Sequence, residues 1–315
     1  MINEYQGKVI KGLGGLFSTR VIKDAGECEI FVSRAKGSLH RDEERVLVGD
    51  NVIITVDDET PDGVRISEIL DRKNALIRPP MANLDYLFIV FAAKKPVPVL
   101  EVVDKLIAIS IHNGIIPVAV VTKSDLETEL GEEYAEIYRS AGIETFVTSS
   151  ESGEGVEALS AYIKNNIISG ATAAFAGASG VGKSTLMNAL FPALTLKTSD
   201  ISKKIERGKH TTRHVEIFEI ENKDGGECGF LADTPGFSLV DFARFDFFEL
   251  EDLAATFPDI LPYAGECTYS DCAHVGEGCD ECGVARAAAE GKIAPTRIES
   301  YRTIYKTLKE KKKFN

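Results

Sequence analysis

No apolar run in the chain is long enough to cross a bilayer. The longest, YLFIVFAA at 86–93, falls well short of the ~18–20 residues a spanning helix needs. It suits a buried strand instead. The opening MINEYQGKVI lacks the basic-then-apolar pattern of a secretory leader, so a cytoplasmic protein with no membrane partner is expected. Base is also scarce: 36 Lys and Arg stand against 49 Asp and Glu, a net charge of −13. That balance argues against indiscriminate nucleic-acid binding, because a polyphosphate backbone rewards cations. Arg34, Lys36, Arg41 and Arg45 are a local exception, as is the closing KTLKEKKKFN; taken alone, each reads as solvated surface. Neither a repeat nor a low-complexity tract is present, which excludes solenoids and linker-like chains.

What is present is a globular composition, 44% hydrophobic and 27% charged over 315 residues. That length predicts two or three domains. Residues 1–72 read as all-β, with GKVIKG, LFSTRVI, CEIFVSR, DNVIITV and GVRISEIL separated by Gly, Asp and charged turns. About five strands in so short a span fit a small barrel of the OB type, with a sandwich fragment as the alternative. NALIRPPMA, with its double proline, reads as a linker. From 73 to 240 strands and helices alternate, which implies a mostly parallel sheet flanked by helices. Residues 241–315 read as helical around a Cys/His cluster, DFFELEDLAATFP among the helices.

GASGVGKS at 177–184 matches the phosphate loop G-x-x-x-x-G-K-[ST] and sits between a strand and the helix KSTLMNALF. Gly177, Ala178, Ser179, Gly180, Val181 and Gly182 would turn their backbone N–H groups onto phosphate oxygens. Lys183 would reach the β and γ phosphates, Ser184 would offer its hydroxyl to Mg²⁺, and Thr185 completes the set. DTPG at 233–236 places Asp233 at a strand end as a second Mg²⁺ holder, with Gly236 near the γ-phosphate. Between them, RGKHTTRH at 207–214 is positioned as a switch, where Thr212, chosen over Thr211, would bind Mg²⁺ and sense the γ-phosphate.

VTKSDL at 121–126 selects the base. Guanine offers N1–H and a 2-amino group on one edge, and one carboxylate, Asp125, can accept both. Thr122, Lys123 and Ser124 complete that element, with Lys123 along the base plane. TFVTSS, about twenty residues on, supplies Ser149 as a second base-contacting loop. An ATP-dependent kinase or transport ATPase is the reading that TKSD opposes. The order is TKSD, TSS, GASGVGKST, HTT, DTPG, the Ras-like cycle cut between its third and fourth elements. A parallel sheet tolerates such a cut because each βα unit keeps its neighbours. The cut leads DTPG straight into residues 241–315.

With that order, a small β-barrel before it and CTYSDCAH after it, the chain resembles the circularly permuted ribosome small-subunit-dependent GTPase A family over nearly its whole length. VGDNV, TKSDL, GASGVGKSTLMN, RGKHTTRH, DTPGF and ECGVARAAAEGKIAPTRIESYRTI also carry the likeness. The resemblance implies an OB-fold RNA-binding domain, a permuted P-loop GTPase domain and a helical zinc-binding domain. Together these would form a monomer that engages the 30S subunit and its 16S rRNA, binding GTP and GDP, late in maturation. Thr122 replaces the commoner Asn and should weaken a tether to the phosphate loop. TSS replaces the usual Ser-Ala. Phe237 stands where Ras-like enzymes carry a water-orienting Gln, so intrinsic turnover should be slow. His210 is the candidate substitute, or else it packs or binds RNA. A nucleotide-sensing RNA-binding module with little turnover is the alternative that Phe237 raises.

Six cysteines are unevenly spread, and four of them, Cys267, Cys272, Cys279 and Cys282, crowd around His274, which in a cytosolic chain reads as metal. The resemblance implies one Zn²⁺ on Cys267, Cys272, His274 and a fourth cysteine. Cys282 aligns best with the helix that follows, leaving Cys279 as a spare thiol or as the true ligand.

Overall fold

The computed structural model describes residues 2–23, 27–36, 45–57, 59–60, 63–167, 170–191, 215–220, 229–233 and 247–312. Arg41, His210, Thr211, Thr212, Gly236 and Phe237 fall outside them. In chain order the strands are β1 (Ile2–Leu13), β2 (Leu16–Ile22), β3 (Cys28–Ala35), β4 (Asn51–Asp57), β5 (Val64–Ile69), β6 (Ala75–Leu76), β7 (Met81–Ala82), β8 (Tyr86–Ala92), β9 (Ile116–Thr122), β10 (Glu144–Val147), β11 (Thr172–Ala176), β12 (Glu216–Ile220) and β13 (Gly229–Asp233). The helices are α1 (Leu100–His112), α2 (Thr128–Ser140), α3 (Val156–Asn166), α4 (Lys183–Leu190), α5 (Leu261–Ala264), α6 (Gly283–Ala289) and α7 (Pro295–Lys312). Contacts divide the chain into two units. Among the described residues no helix is long and apolar enough to cross a membrane.

The first unit holds Met1–Tyr86, Lys164–Ala174 and Lys209–Gly236. Strand β1 pairs antiparallel with both β2 and β4, β2 with β3, and β4 with β5. Strand β5 runs parallel to β3 where Arg34 and Ala35 face Arg65 and Ile66. The order β1-β2-β3-β5-β4-β1 therefore closes into the expected barrel and excludes the sandwich. Period-two alternation turns Val9, Val21, Val52, Ile54 and Ile66 inward as its core. Past the barrel, β1 meets β12 at Lys11 opposite Glu216. Strand β12 runs antiparallel to β13, which is parallel to β11.

The double-proline segment is not the linker its sequence suggests. Strands β6 and β7 form a hairpin with Leu76, Met81 and Ala82 buried. Ala82 N–H donates to Val48 O at 2.9 Å, and buried Asn83 donates from Nδ2 to Gly49 O at 3.0 Å. Pro79 and Pro80 occupy the turn, where no ladder donor is needed. The flanking apolar side chains remain free to pack.

The second unit holds Leu87–Ile163, Phe175–Gly208 and Phe237–Asn315. Its strands β8 and β9 are mostly apolar and are buried over Leu87–Ala92 and Val118–Thr122, as a sheet covered on both faces requires. Strand β10 runs parallel to β9, and Phe175 stacks on Phe88 with centroids 4.8 Å apart. Helix α1 buries Val103, Leu106, Ile107 and Ser110 at helical spacing. Residues 250–256 form a 3₁₀ helix, which ends at an extended Phe257 because Pro258 biases its predecessor away from helical backbone.

Candidate nucleotide site and metal cluster

Every turn of the phosphate loop rests on glycine geometry. Gly177 has φ of +155°, and a Cβ there would lie 2.2 Å from Val90 O, so only glycine lets β11 pass this close to β8. Gly182, at φ +93°, caps the N-terminus of α4. Ala178, Ser179, Gly180, Ser184 and Thr185 are exposed, while Val181 is buried beneath them. Lys183 Nζ reaches across the loop to Gly177 O at 3.0 Å. The N-terminus of α4 and the Lys183 ammonium thus both lie at this loop, a suitable arrangement for phosphate.

The base-reading element is bound directly to that loop. Buried Thr122 donates from Oγ1 to Val181 O and lies 3.2 Å from Phe91 O. The substitution expected to weaken this tether therefore retains it, because the hydroxyl at the end of β9 already reaches the loop carbonyl. Lys123 sits in the left-handed region at φ +57°, a strained conformation for a lysine that clusters at functional turns. Its Nζ donates to both Gly180 O and Lys95 O at 2.6 Å. Asp125 is exposed, and Ser149 Oγ donates to its Oδ1 at 2.5 Å. Ser149 is itself fully buried and accepts from Ser152 N–H at 3.1 Å. The TSS segment thus holds one carboxylate oxygen of Asp125. Ser124 is buried beside it, and its N–H donates to Thr148 O at 3.3 Å. Asp233 ends β13, as its motif predicts.

The structure also brings Cys267, Cys272, His274 and Cys282 together, all donor atoms lying within 4.8 Å of one another. Cys267 Sγ is 3.8 Å from Cys282 Sγ, and His274 Nδ1 is 3.4 Å from Cys267 Sγ and 3.5 Å from Cys282 Sγ. Tetrahedral zinc with bonds of ~2.3 Å to sulfur and ~2.0 Å to nitrogen demands edges of roughly 3.8 and 3.6 Å. The donor set fits such an ion. Cys279 lies outside the cluster, exposed, its Sγ 3.7 Å from Ala285 O. Burial lowers the pKa of His274, partly offset by Glu277, and so favours the neutral imidazole that ligates. Burial likewise pushes the Cys272 thiol up to about 12 and raises Cys282. A bound dication would reverse the thiol shifts.

Sequence motifs missed one support of this cluster and one buried ion network. Glu277 accepts N–H bonds from Val275 at 2.8 Å and Gly276 at 3.0 Å, tying the ligand loop. Elsewhere in the second unit Arg297 is wholly buried, paired with Asp259 at 2.8 and 3.0 Å and with Asp104 at 2.6 Å. The one available signal was Asp104 itself, an acid on the apolar face of LEVVDKLIAIS.

Comparison with known proteins agrees with this geometry. Residues 69–243 match the RsgA GTPase family and residues 6–64 the RsgA N-terminal domain. A protein of Agathobacter rectalis named small ribosomal subunit biogenesis GTPase RsgA is 37% identical over 98% of this chain and 99% of its own length. The protein of that name from Geobacillus sp. (strain WCH70) is 39% identical, covering 98% of each chain. Among solved structures, YloQ, described as a circularly permuted GTPase, aligns with a TM-score of 0.74 at 30% identity, covering 98% of this chain and 96% of its own. YjeQ from Thermotoga maritima gives 0.75 at 30% identity, covering 97% and 99%. With its base-reading strand preceding its phosphate loop, this chain belongs to the RsgA GTPase family and is a circularly permuted GTP-hydrolysing enzyme.

Proposed function

We propose that this chain binds the 30S ribosomal subunit through its 16S rRNA, in the cytoplasm and as a monomer. There it hydrolyses GTP late in the subunit's maturation, and the subunit stimulates turnover. The observation that carries the reading is the direct bonding of the base-reading element to the phosphate loop by Thr122 and Lys123. It is supported by full-length relatives named for small-subunit biogenesis.

In this reading Asp125, held by Ser149, accepts the two donors of the guanine edge. Lys123 underlies the base plane, and residues 177–185 cradle the phosphates. Lys183 withdraws charge from the β and γ oxygens as it spreads in the transition state. Ser184, Thr212 and Asp233 would hold the Mg²⁺ that accompanies GTP and neutralises its phosphates. Phe237 cannot orient water, so His210 in the switch is assigned that task, completed when the subunit holds the switch closed. Cys267, Cys272, His274 and Cys282 would hold one Zn²⁺ with no position open, a structural ion that fixes the 241–315 domain. The 1–72 barrel and that domain are the two RNA-gripping ends. Arg34, Lys36 and Arg45 are exposed on the barrel and, with Arg41, form its first contact set.

Multiple-turnover phosphate release, with and without purified 30S subunits, tests this. The subunit should accelerate hydrolysis, and replacing the four basic residues should weaken association and flatten its salt dependence without changing intrinsic turnover. Equal rates with and without subunits would overturn it.

A further inference from the structure

Cys279 takes no part in the site above, yet its placement is particular. It stands three residues before the buried Cys282, as C-D-E-C. The turn between them is helical in its bonding: Gly278 O accepts from Glu281 N–H at 3.1 Å and from Cys282 N–H at 2.9 Å. Residues three apart in such a turn share a face, with Cα atoms about 5 Å apart, inside the Cα range that a disulfide spans, though the Cβ atoms must draw together for the bond to form. Both sulfurs also converge on one residue at the start of α6. Cys279 Sγ lies 3.7 Å from Ala285 O, and Cys282 Sγ lies 3.4 Å from Ala285 N. Cys279 is exposed, whereas Cys282 is fully buried.

We infer that Cys279 is a peroxide-sensing thiol whose oxidation withdraws Cys282 from the metal cluster as a Cys279–Cys282 disulfide. This rests on the reading of Cys267, Cys272, His274 and Cys282 as metal ligands. A peroxide's terminal oxygen transfers to the exposed Cys279 sulfur, giving a sulfenic acid as the O–O bond breaks and one water leaves. The Cys282 sulfur then attacks that sulfenic sulfur. The new S–S bond forms, hydroxide departs and takes a proton from solvent, and the bond from Cys282 to the metal is lost. In total the two sulfurs give up two electrons and the peroxide becomes two waters. Three ligands remain, too few for a closed structural site. Glu277, Asp280 and Glu281 are close to the pair in the chain, against one cation, Arg286, whose Nη1 donates to Cys279 O at 3.4 Å; that acidic excess favours a small uncharged peroxide over anionic glutathione disulfide.

The test uses the full-length, reduced protein, with its zinc content measured first by elemental analysis. A zinc-free protein would refute the ligand reading; the disulfide would still be scored separately by mass spectrometry. Hydrogen peroxide should release zinc, followed with a colorimetric chelator, in step with a product two hydrogens lighter, and fragmentation should assign the bond to 279–282. Thiol reductant with added zinc should restore both. Cys279→Ser should retain full zinc when reduced and release it at least about tenfold more slowly under peroxide. Oxidised glutathione should act far more slowly than peroxide on the parent. Equal zinc release from parent and Cys279→Ser, or a disulfide linking two of the ligand cysteines instead, would overturn the inference.

Discussion

Within the second unit, the nucleotide loops and the C-terminal helices are held by opposite means. At the loops the ties are single hydrogen bonds from Thr122, Lys123 and Ser149 to neighbouring loops, and Asp125 and the phosphate-loop tip stay exposed. Beneath α7 the tie is a desolvated ion network: Arg297 and Asp104 side chains are 0% exposed and Asp259 only 4%. A hydrogen bond to a neighbouring loop can break and re-form without stranding an ion. A buried charge with two partners has no comparable freedom, since any rearrangement strands an ion. The contrast sets loops tied by hydrogen bonds against helices tied by buried ions.

The largest expected effect lies at the rigid end. Arg297→Ala should cost ~3–5 kcal/mol of stability by leaving two carboxylates buried and unpaired, measured by denaturant unfolding. Arg297→Met combined with Asp104→Leu and Asp259→Leu should recover most of that loss, because no ion then remains to strand. Failure to recover would mean that the network also fixes packing. Next is Lys183→Ala, expected to lower turnover by roughly a hundredfold to a thousandfold while the unfolding midpoint stays put; a large stability loss would make the lysine structural. Ser149→Ala should free the Asp125 carboxylate and weaken GTP binding about fivefold, worth ~1 kcal/mol, with little change in stability. The smallest effect is expected at Thr122→Val, ~0.5–1.5 kcal/mol from the lost tether, seen in nucleotide affinity and in amide exchange of the phosphate loop.

The same contrast explains what the sequence could disclose. Phosphate-loop and TKSD residues are contiguous because a backbone turn at a strand end does the chemistry, so they read directly as motifs. The barrel was legible from five short runs separated by Gly, Asp and charged turns. Cys282 could be favoured over Cys279 only by the register of the following helix. The Arg297 network left almost no trace: its partners lie 38 and 193 positions away, and a charged residue late in a chain looks like surface until the fold buries it. NALIRPPMA misled because proline marks a turn whether or not the residues beside it are buried. Thr122 misled because the motif speaks to residue type, whereas the tether needs only a donor at the end of β9.

The central claim is that Asp125, ahead of the phosphate loop in the chain, reads guanine at the same site. The direct measurement is equilibrium binding of GTP and xanthosine triphosphate to the parent and to Asp125→Asn. The amide presents a donor where the carboxylate presented an acceptor, so GTP affinity should fall and xanthosine triphosphate affinity should rise, reversing the preference. An Asp125→Asn protein that binds GTP as tightly as the parent and still rejects the xanthine nucleotide would contradict the account.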